Sequence, residues 1–263
     1  MVEGASPVAG TALQLIALAP WPLVSAGDDL ADQTCAALAA QQLELQPGDV
    51  LVYAQKIISK AEGRRVDLRS VVPGARAAAL ALEVDKDPRL VELVLRESTR
   101  IVRTAKDVLI VEQRLGLIMA NAGIDQSNVA DPASGEYALL LPADPDASAA
   151  QLRAALRARC NCDVAVIVSD SFGRPWRVGT VGVAIGCAGL AATRDLRGSS
   201  DLFGRALRVT VVGHADEIAS AASLLMGQGD EARPVVLVRG LPPGAPHQGA
   251  AALRRPPGED LFR

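Results

Sequence analysis

Short apolar runs separated by polar or turn-forming residues limit the fold of this sequence more than any other feature. Eight runs have the length and composition of β-strands: LQLIAL, DVLVYA, IVRTAKDVLIVEQ, LGLIMAN, DVAVIVSD, VGVAIGCAGL, LRVTVVG and PVVLVRG. Helical spacing of apolar residues lies between some of them, at residues 28–43, 86–98, 146–160 and 216–226. Several strands follow one another without an intervening helix. The sequence therefore predicts an α+β fold with mixed or antiparallel sheets and flanking helices.

Helix ends and domain limits are also marked in the sequence. Asp146 or Ser148 is the expected N-cap of the helix at 146–160, and Gly227 is expected to end the helix at 216–226. A length of 263 residues suits one large domain or two small ones. We predict a globular part over residues 1–240, with room for two subdomains. Residues 241–263 are rich in Pro and Gly and are predicted to form an arm or a linker.

Composition excludes several classes of function. The net charge of −3 and an aromatic content of 3% argue against nucleic-acid binding. The apolar stretch TALQLIALAPWPLV is too short to cross a bilayer and lacks a charged start, so we expect no membrane association and a cytoplasmic location. Four cysteines without zinc spacing favour reduced thiols, and only two histidines, His214 and His247, make a zinc site or a Ser-His-Asp triad improbable.

Two acidic residues follow strand-like runs and are candidates for a cation site. Asp170 closes DVAVIVSD, and Asp125 lies in the polar stretch AGIDQSNVADP, residues 122–132. Carboxylates at two strand ends can converge on one hard cation such as magnesium or manganese. The alternative for each is an ordinary turn residue, since Asp is common in turns. Ser171 and Gln228 add neutral oxygens that could serve a second ion, and loop solvation is the alternative for Gln228.

Basic residues near these acids are candidates for anion binding. Lys56 and Lys60 lie four residues apart in QKIISKAEG, a spacing that fits either phosphate binding or a solvated charged face. Arg174 and Arg177, in SFGRPWRVGT, suit carboxylates or phosphates, or belong to a surface loop. Neither a P-loop nor a Rossmann glycine motif is present. The residues alone thus indicate a metal-dependent enzyme with an anionic ligand.

The same blocks occur together in a known family. The ordered set resembles the gamma-glutamyl ligases that act on coenzyme F420-0: QKIISKAEGR, MANAGIDQSN, LLPADPDASA, VSDSFGRPWRVG, DLRGSSDLFGRALRVT and DEIASAASLLMGQ. The resemblance runs from about Leu15 to Gly240. The end of the chain, RRPPGEDLFR, resembles the junction in actinobacterial two-domain members, where a nitroreductase-like flavin domain follows.

The resemblance implies a GTP-dependent ligase that adds L-glutamate to F420-0 and then further glutamates through gamma linkages, by way of an acyl phosphate. It also implies two divalent cations, Mg²⁺ or Mn²⁺, with K⁺ as a further candidate, and a homodimer. Asp125 and Asp170 match ligands of the first ion and Ser171 and Gln228 those of the second. Asp125, Asp170 and Lys60 are the implied catalytic residues. Positions that match nucleotide contacts are Trp21, Pro22, Leu23, Val24, Gln55, Lys56, Lys60 and Asn128.

Arg174 and Arg177 are candidates for holding glutamate or the cofactor. Two rival functions remain open: a metal-dependent phosphohydrolase, in which the same acids activate water, and a non-catalytic nucleotide-binding module.

Overall fold

The computed structural model describes residues 12–129, 135–241 and 248–260. Its helices and strands follow in the order β1 (Gln14–Ala17), α1 (Leu30–Ala40), β2 (Val50–Ala54), α2 (Gln55–Ala61), β3 (Arg65–Asp67), α3 (Ala75–Val84), α4 (Pro88–Arg96), β4 (Ser98–Ala105), β5 (Val108–Gln113), β6 (Ile118–Ala120), β7 (Tyr137–Leu139), α5 (Pro145–Cys160), β8 (Ala165–Arg174), β9 (Arg177–Ala188), β10 (Arg194–Asp195), β11 (Val211–Val212), α6 (His214–Met226) and β12 (Val235–Arg239). The predicted α+β class, with mixed and antiparallel sheets, is confirmed.

A five-stranded mixed sheet in the order β1-β12-β2-β8-β9 forms the centre of the fold. Strands β2 and β8 pair in parallel, from Val50 opposite Ala165 to Ala54 opposite Ser169, and the other pairs in this sheet are antiparallel. A parallel pair needs a long crossover between its strands. Here the crossover contains residues 55–164, so the chain builds α2 to α5 and two smaller sheets, β3-β7 and β4-β5-β6, before it returns to the central sheet.

Helices cover both faces of this sheet because the central strands are apolar on both sides. On one face, Leu51, Val166 and Leu237 pack with side chains of α1 and α5. On the other, Val52 and Ile167 pack with the apolar side of α6. Strands β2, β8 and β12 thus lie between two cores, and their continuous apolar runs are the sequence signature of that position.

A third core lies within the long crossover. It is formed by α3, α4, the three-stranded sheet β4-β5-β6 and the residues around β7, and includes Val84, Val91, Leu109, Val111 and Ala138. Each of these five side chains is fully buried. The presence of this separate core is compatible with the predicted second subdomain, although the domain limits themselves stay predictions.

A buried ion pair fixes the start of the parallel pair. Asp49 is 1% exposed and accepts two hydrogen bonds from the Arg239 guanidinium, at 2.8 and 2.7 Å. The backbone oxygen of Asp49 accepts from Ala165 N at 2.9 Å, which joins β2 to the start of β8. Because a buried carboxylate is costly unless it is paired, this contact constrains how β12, β2 and β8 meet.

Several local predictions need correction. The run IVRTAKDVLIVEQ forms two strands, β4 and β5, because Asp107 takes a left-handed conformation with φ of 62° and turns the chain. The N-cap of α5 is Asp144, which accepts from Ala147 N at 3.0 Å, and neither Asp146 nor Ser148 has that role. Helices α2 and α3 were not predicted. The predicted end of α6 at Gly227 is confirmed.

The segment after β12 is described in part, since residues 242–247 and 261–263 lie outside the described residues, and His247 with them. Residues 250–253 form a 3-10 turn, and Ala250 is buried in the core beside α6. Arg254 Nη1 donates to the Leu115 backbone oxygen. The described portion of the predicted arm therefore packs against the central fold rather than extending from it.

The four cysteines are free thiols in the structure, and Cys162 and Cys187 are buried. The longest helix, α5, has 16 residues, and no helix among the described residues is long and apolar enough to cross a membrane.

Gly186 gives a direct test of the packing between β9 and α5. A Cβ at this position would lie 2.3 Å from the carbonyl carbon and oxygen of Pro145, and backbone atoms cannot rotate away. We expect Gly186→Ala to reduce the free energy of unfolding by about 1–3 kcal/mol, measured by denaturant unfolding. The matched control is Gly173→Ala, in the same hairpin, where a Cβ meets nothing within 4 Å. Equal stabilities of the two variants would contradict this packing.

Candidate functional site

The carboxyl ends of the parallel strands β2 and β8 bring the predicted residues together. Ala54, the last residue of β2, pairs with Ser169. Helix α2 starts immediately afterwards and carries Lys56 and Lys60, while Asp170 follows Ser169 on the neighbouring strand. In sheets with parallel strands, ligands commonly bind outside such carboxyl ends. The predicted lysines and Asp170 are therefore neighbours because of the strand register.

Asp170 does not end its strand, contrary to the prediction. Strand β8 continues to Arg174 and turns directly into β9, so the residues expected to form a loop extend a long hairpin instead. The ladder shifts register between Val168 and Ser169, one residue before Asp170. Such a bulge re-aims the side chains that follow it. Asp170 thus lies where β8 leaves the central sheet.

Asp125 reaches the site from the crossover through a strained loop. It does not end a strand either, because β6 stops at Ala120 and a 3-10 turn follows at Asn121–Gly123. Asn121, Ala122 and Gly123 have φ values of 51°, 54° and 70°. Consecutive left-handed residues are costly and are typical of functional sites. Asp125 is then fixed by two backbone hydrogen bonds with Leu139, at 3.1 and 2.8 Å.

Lys56 is the direct partner of Asp125. Its Nζ lies 2.7 Å from Asp125 Oδ2 and donates to Ser127 Oγ at 2.9 Å. Ser127 in turn donates to Asp125 Oδ1 from both its backbone N and its Oγ, each at 2.8 Å. Burial acts to raise the pKa of Asp125, but the bonds from Lys56 and Ser127 outweigh it and hold that pKa below its usual value. Asp125 is therefore a carboxylate.

Lys60 and Asn128 connect the same loop to the end of α6. Lys60 Nζ donates to the Asn128 backbone oxygen at 2.7 Å, and Asn128 Nδ2 donates to the Gly229 oxygen at 2.9 Å. Burial, together with the charges of Lys56 and Arg65, lowers the pKa of Lys60. Residues 130–134, which include the Asp131 of the predicted polar stretch, lie outside the described residues.

The two neutral oxygen donors also meet. Ser171 Oγ donates to Gln228 Oε1 at 2.8 Å, although the residues are 57 apart in sequence. Gln228 follows Gly227, which ends α6 with a φ of 72° and turns the chain toward the site. Ser171 and Gln228, which the resemblance assigns to one ion, are therefore neighbours in the structure.

Burial, the largest cause, and the nearby charge of Asp125 together raise the pKa of Asp170 to about 7. The backbone hydrogen bond from Ser171 and the charge of Lys56 act in the opposite direction. The carboxyl groups of Asp125 and Asp170 are therefore close enough to interact, with Lys56 near both. A cation at this position would relieve the cost of holding a second charged carboxylate there.

The donor set fits a divalent cation that also binds phosphate. Two carboxylates and two neutral oxygens are hard ligands, which suit Mg²⁺ or Mn²⁺. Within the described residues, no three His, Cys, Asp or Glu side chains are grouped as metal ligands. Magnesium in nucleotide sites is commonly bound through one or two carboxylates and completes its coordination with phosphate oxygens and water. Asp125 and Asp170 satisfy that pattern.

The other predicted nucleotide contacts differ in exposure. Trp21 and Val24 are each 8% exposed and pack in the core between the central sheet and α1, whereas Leu23 is 93% exposed and Pro22 is exposed. The Trp21 Nε1 atom is buried without a hydrogen-bond partner among the described residues. A ligand at this segment would therefore meet Pro22, Leu23 and backbone atoms. Gln55 is buried at the start of α2, where its Oε1 accepts from Ser59 Oγ at 2.9 Å.

The predicted arginines lie at the tip of the β8–β9 hairpin. Arg174 and Arg177 are opposite each other across the turn. Arg174 Nη1 is buried and has no partner among the described residues, while Arg177 is exposed. The hairpin extends from the strand that carries Asp170, so the two arginines and Asp170 are held on one continuous element.

A cavity of about 630 Å³ lies against the β8–β9 hairpin and was missed by sequence reasoning. Val183, which pairs with Asp170, and Phe172 both line it. Its other walls come from the β5–β6 turn, the start of α5 and residues 250–260. These segments are far apart in sequence, and single charged residues in turns and tails carry no spacing signal that would have identified them.

The sequence of this chain is similar to those of a known family of ligases. The family model described as F420-0:Gamma-glutamyl ligase matches residues 20–240. A protein of Methanopyrus kandleri named coenzyme F420:L-glutamate ligase is 46% identical over 258 residues, which cover 95% of this chain and 99% of that protein. A protein of the same name from Methanothermobacter thermautotrophicus is 45% identical over 253 residues, with coverage of 95% and 99%. Another, from Halobacterium salinarum, is 42% identical over 248 residues and 92% of each chain.

The raised pKa of Asp170 predicts a pH-dependent effect on stability. Asp170 binds its proton more tightly in the folded chain, with a pKa of about 7, than at its ordinary value of 3.8. Its contribution to the free energy of unfolding is therefore present at low pH and is lost as pH rises from about 4 to about 7. Asp170→Asn removes this titration, so the variant should gain stability relative to the wild type across that range.

Thermal unfolding in EDTA at pH 4.5, 6 and 8 measures this difference, and Asp107→Asn, at an exposed turn, serves as the control. A stability difference between Asp170→Asn and wild type that stays constant with pH would contradict the assignment.

Proposed function

The chain belongs to the F420-0:Gamma-glutamyl ligase family, and on that premise we propose that it joins L-glutamate to coenzyme F420-0 with GTP as the energy source. Further glutamates are added in turn through gamma linkages. The observation that carries the proposal is the meeting of two carboxylates and two lysines at the carboxyl ends of β2 and β8. This set has the chemistry that a cation-bound triphosphate requires.

The reaction must first make a carboxylate reactive. One oxygen of the F420-0 carboxylate attacks the terminal phosphorus of GTP, which forms an acyl phosphate and releases GDP. The glutamate amine then attacks the acyl carbon, phosphate leaves with the bonding electrons, and the amine loses a proton. The result is an amide. Two negatively charged reactants meet in the first step, so the site must reduce their repulsion.

The residues of this chain meet that requirement in separate ways. Lys60 presents a positive charge beside the loop of Asn128, where it can contact phosphate oxygens. Asp125 and Asp170 would hold one divalent cation, and Ser171 and Gln228 would serve a second. Such cations neutralise phosphate charge when bound. The Asn128 side chain, already fixed by Gly229, would orient the nucleotide against the α6 end of the site.

No covalent intermediate with the enzyme is required, which agrees with the thiols of this chain. Burial raises the pKa of Cys187 to about 12 and that of Cys160 to about 11, so neither is an activated nucleophile at neutral pH. His214 lies at the start of α6, outside the set of side chains around Asp125. Phosphate activation of the acceptor therefore accounts for the chemistry without a nucleophilic side chain.

We also propose a homodimer. Residues 193–212 contain the short β10–β11 ladder, and large apolar side chains are exposed along this segment: Leu202 at 99%, Phe203 at 95% and Val209 at 86%. Trp176 and Val178 at the β8–β9 tip are exposed as well, at 81% and 103%. Exposed apolar groups of this extent are typical of protein interfaces, and a second copy of the chain is the partner that the family premise favours.

A ligation assay tests the function. Protein, GTP, MgCl₂ or MnCl₂, glutamate and F420-0 are incubated, and mass spectrometry follows products that gain whole glutamate residues. We expect the wild type to form them and Asp170→Asn to lose at least about a hundredfold in rate, because a cation ligand is removed. Near-normal turnover by Asp170→Asn would exclude Asp170 from the cation site. Phosphate release that does not require glutamate would favour a phosphohydrolase, and GTP binding without turnover a binding module.

Lys60→Ala tests the phosphate contact separately. We expect the KM for GTP to rise by about tenfold or more, because a charge-assisted bond is lost, while the KM for glutamate changes little. Steady-state kinetics with each substrate varied in turn gives both constants. Lys106→Ala is the control, since Lys106 is exposed and pairs only loosely with Asp85 at 3.5 Å. An unchanged KM for GTP in Lys60→Ala would remove Lys60 from the nucleotide site.

A further inference from the structure

The cavity against the β8–β9 hairpin combines apolar walls with charges of both signs. Phe172, Val183 and Ile185 supply the apolar wall along the sheet. Asp144 and Asp146 line one side, and Arg255 lies in the segment that closes the other. A volume of about 630 Å³ lies within the range of small-molecule sites. A small ligand that carries both negative and positive charge would therefore complement the lining of this cavity.

Three carboxylates of this cavity, those of Asp144, Asp146 and Asp216, each use only one oxygen in hydrogen bonds with the described residues. Asp146 Oδ1 accepts from Cys187 N and Ala250 N, both at 2.8 Å, and Asp144 Oδ1 accepts from Ala147 N at 3.0 Å. Asp216 Oδ1 accepts from Ala184 N at 2.9 Å. The Oδ2 atom of each makes no hydrogen bond with the described residues. The first oxygen thus fixes each side chain in position, and the second is left for a cationic group of a ligand.

The basic side of the cavity also has groups that are left for a ligand. Arg255 makes no hydrogen bond or ion pair with the described part of the chain, and Arg114 approaches Glu97 only at 3.7 Å. Arg254, by contrast, is engaged with the backbone oxygens of Leu115 and Ala251, and it fixes the segment that carries Arg255. Guanidinium groups pair well with carboxylates. One face of the cavity therefore suits an ammonium group and another suits carboxylates.

Strand register relates one wall of this cavity to Asp170. Directly opposed residues of an antiparallel pair project to the same face, with Cβ atoms about 5 Å apart, and Asp170 is opposed to Val183. Phe172, two residues beyond Asp170, shares that face as well. Two residues that line the cavity, Val183 and Phe172, therefore project to the same face of the hairpin as Asp170.

We propose that this cavity binds the amino-acid co-substrate, L-glutamate, with its ammonium group against Asp146 and its carboxylates against Arg255. The proposal rests on the proposed function, because it concerns the same reaction. It places the amino group in a cavity whose wall includes Val183 and Phe172, on the face of the hairpin that also carries Asp170. Arg114 is close enough in the fold to pair with a second carboxylate of the same ligand.

Direct binding and kinetics test it together. Isothermal titration of glutamate into the protein should give an affinity that Arg255→Gln weakens by about tenfold or more. In the ligation assay, Arg255→Gln should raise the KM for glutamate by a similar factor and leave the KM for GTP unchanged. The matched control is Arg157→Gln: Arg157 is exposed on α5, about 18 Å along the helix from Pro145. Equal glutamate affinity in the wild type and Arg255→Gln would overturn the proposal.

The ammonium contact has its own test. Glutarate is glutamate without the amine, so wild type should prefer glutamate by about tenfold. Asp146→Asn keeps an oxygen for Cys187 N and Ala250 N but loses its charge, and it should bind the two ligands about equally. A preference for glutamate over glutarate that survives in Asp146→Asn, with thermal unfolding like that of the wild type, would place the ammonium group elsewhere.

Failure of wild type to ligate despite the expected binding pattern would reject the proposed function and leave an amino-acid site. Ligation with no effect of either variant would reject the site alone.

Discussion

The parallel pairing of β2 with β8 determines where the candidate site of this protein lies. Its register ends with Ala54 opposite Ser169, so the first turn of α2 and Asp170 leave the sheet side by side. At the opposite end the buried contact between Asp49 and Arg239 holds the same strands. A shift of the register by one residue would turn every side chain of β8 to the other face and remove Asp170 from the lysines. The apolar cores on both faces oppose such a shift.

Within this frame, the site is assembled from segments that lie far apart in sequence. Asp125 comes from the crossover, the lysines from α2, Asp170 and Ser171 from β8, and Gln228 from the end of α6. The separate core of the crossover positions the Asp125 loop, whose left-handed residues would be unfavourable in an isolated chain. The stabilities of the central sheet and of the crossover core therefore both contribute to the geometry of the candidate site.

The sequence was sufficient for the fold class and for most long elements, because the apolar runs of β2, β8 and β12 and the spacing in α1, α5 and α6 are strong local signals. Helix α2 was not predicted, since seven residues with Lys at two positions give no clear amphipathic pattern. The hairpin of β4 and β5 depends on the left-handed Asp107. The contact of Asp49 with Arg239 joins residues 190 apart, and no local pattern could indicate it.

Candidate site residues could be identified from the sequence because acids after apolar runs and paired lysines form local patterns. The contacts between these residues could not be predicted, because they join segments far apart in the chain.

The hydrogen bond between Lys56 and Ser127 and the salt bridge from Lys56 to Asp125 have a thermodynamic consequence. The site carries its own counter-ion, so under the proposed function a divalent ion would enter in exchange for an ammonium group. The affinity for that ion would then be the difference between two ionic bonds. The displaced ammonium group would be free to turn toward an incoming polyphosphate, which would make binding of metal and nucleotide cooperative.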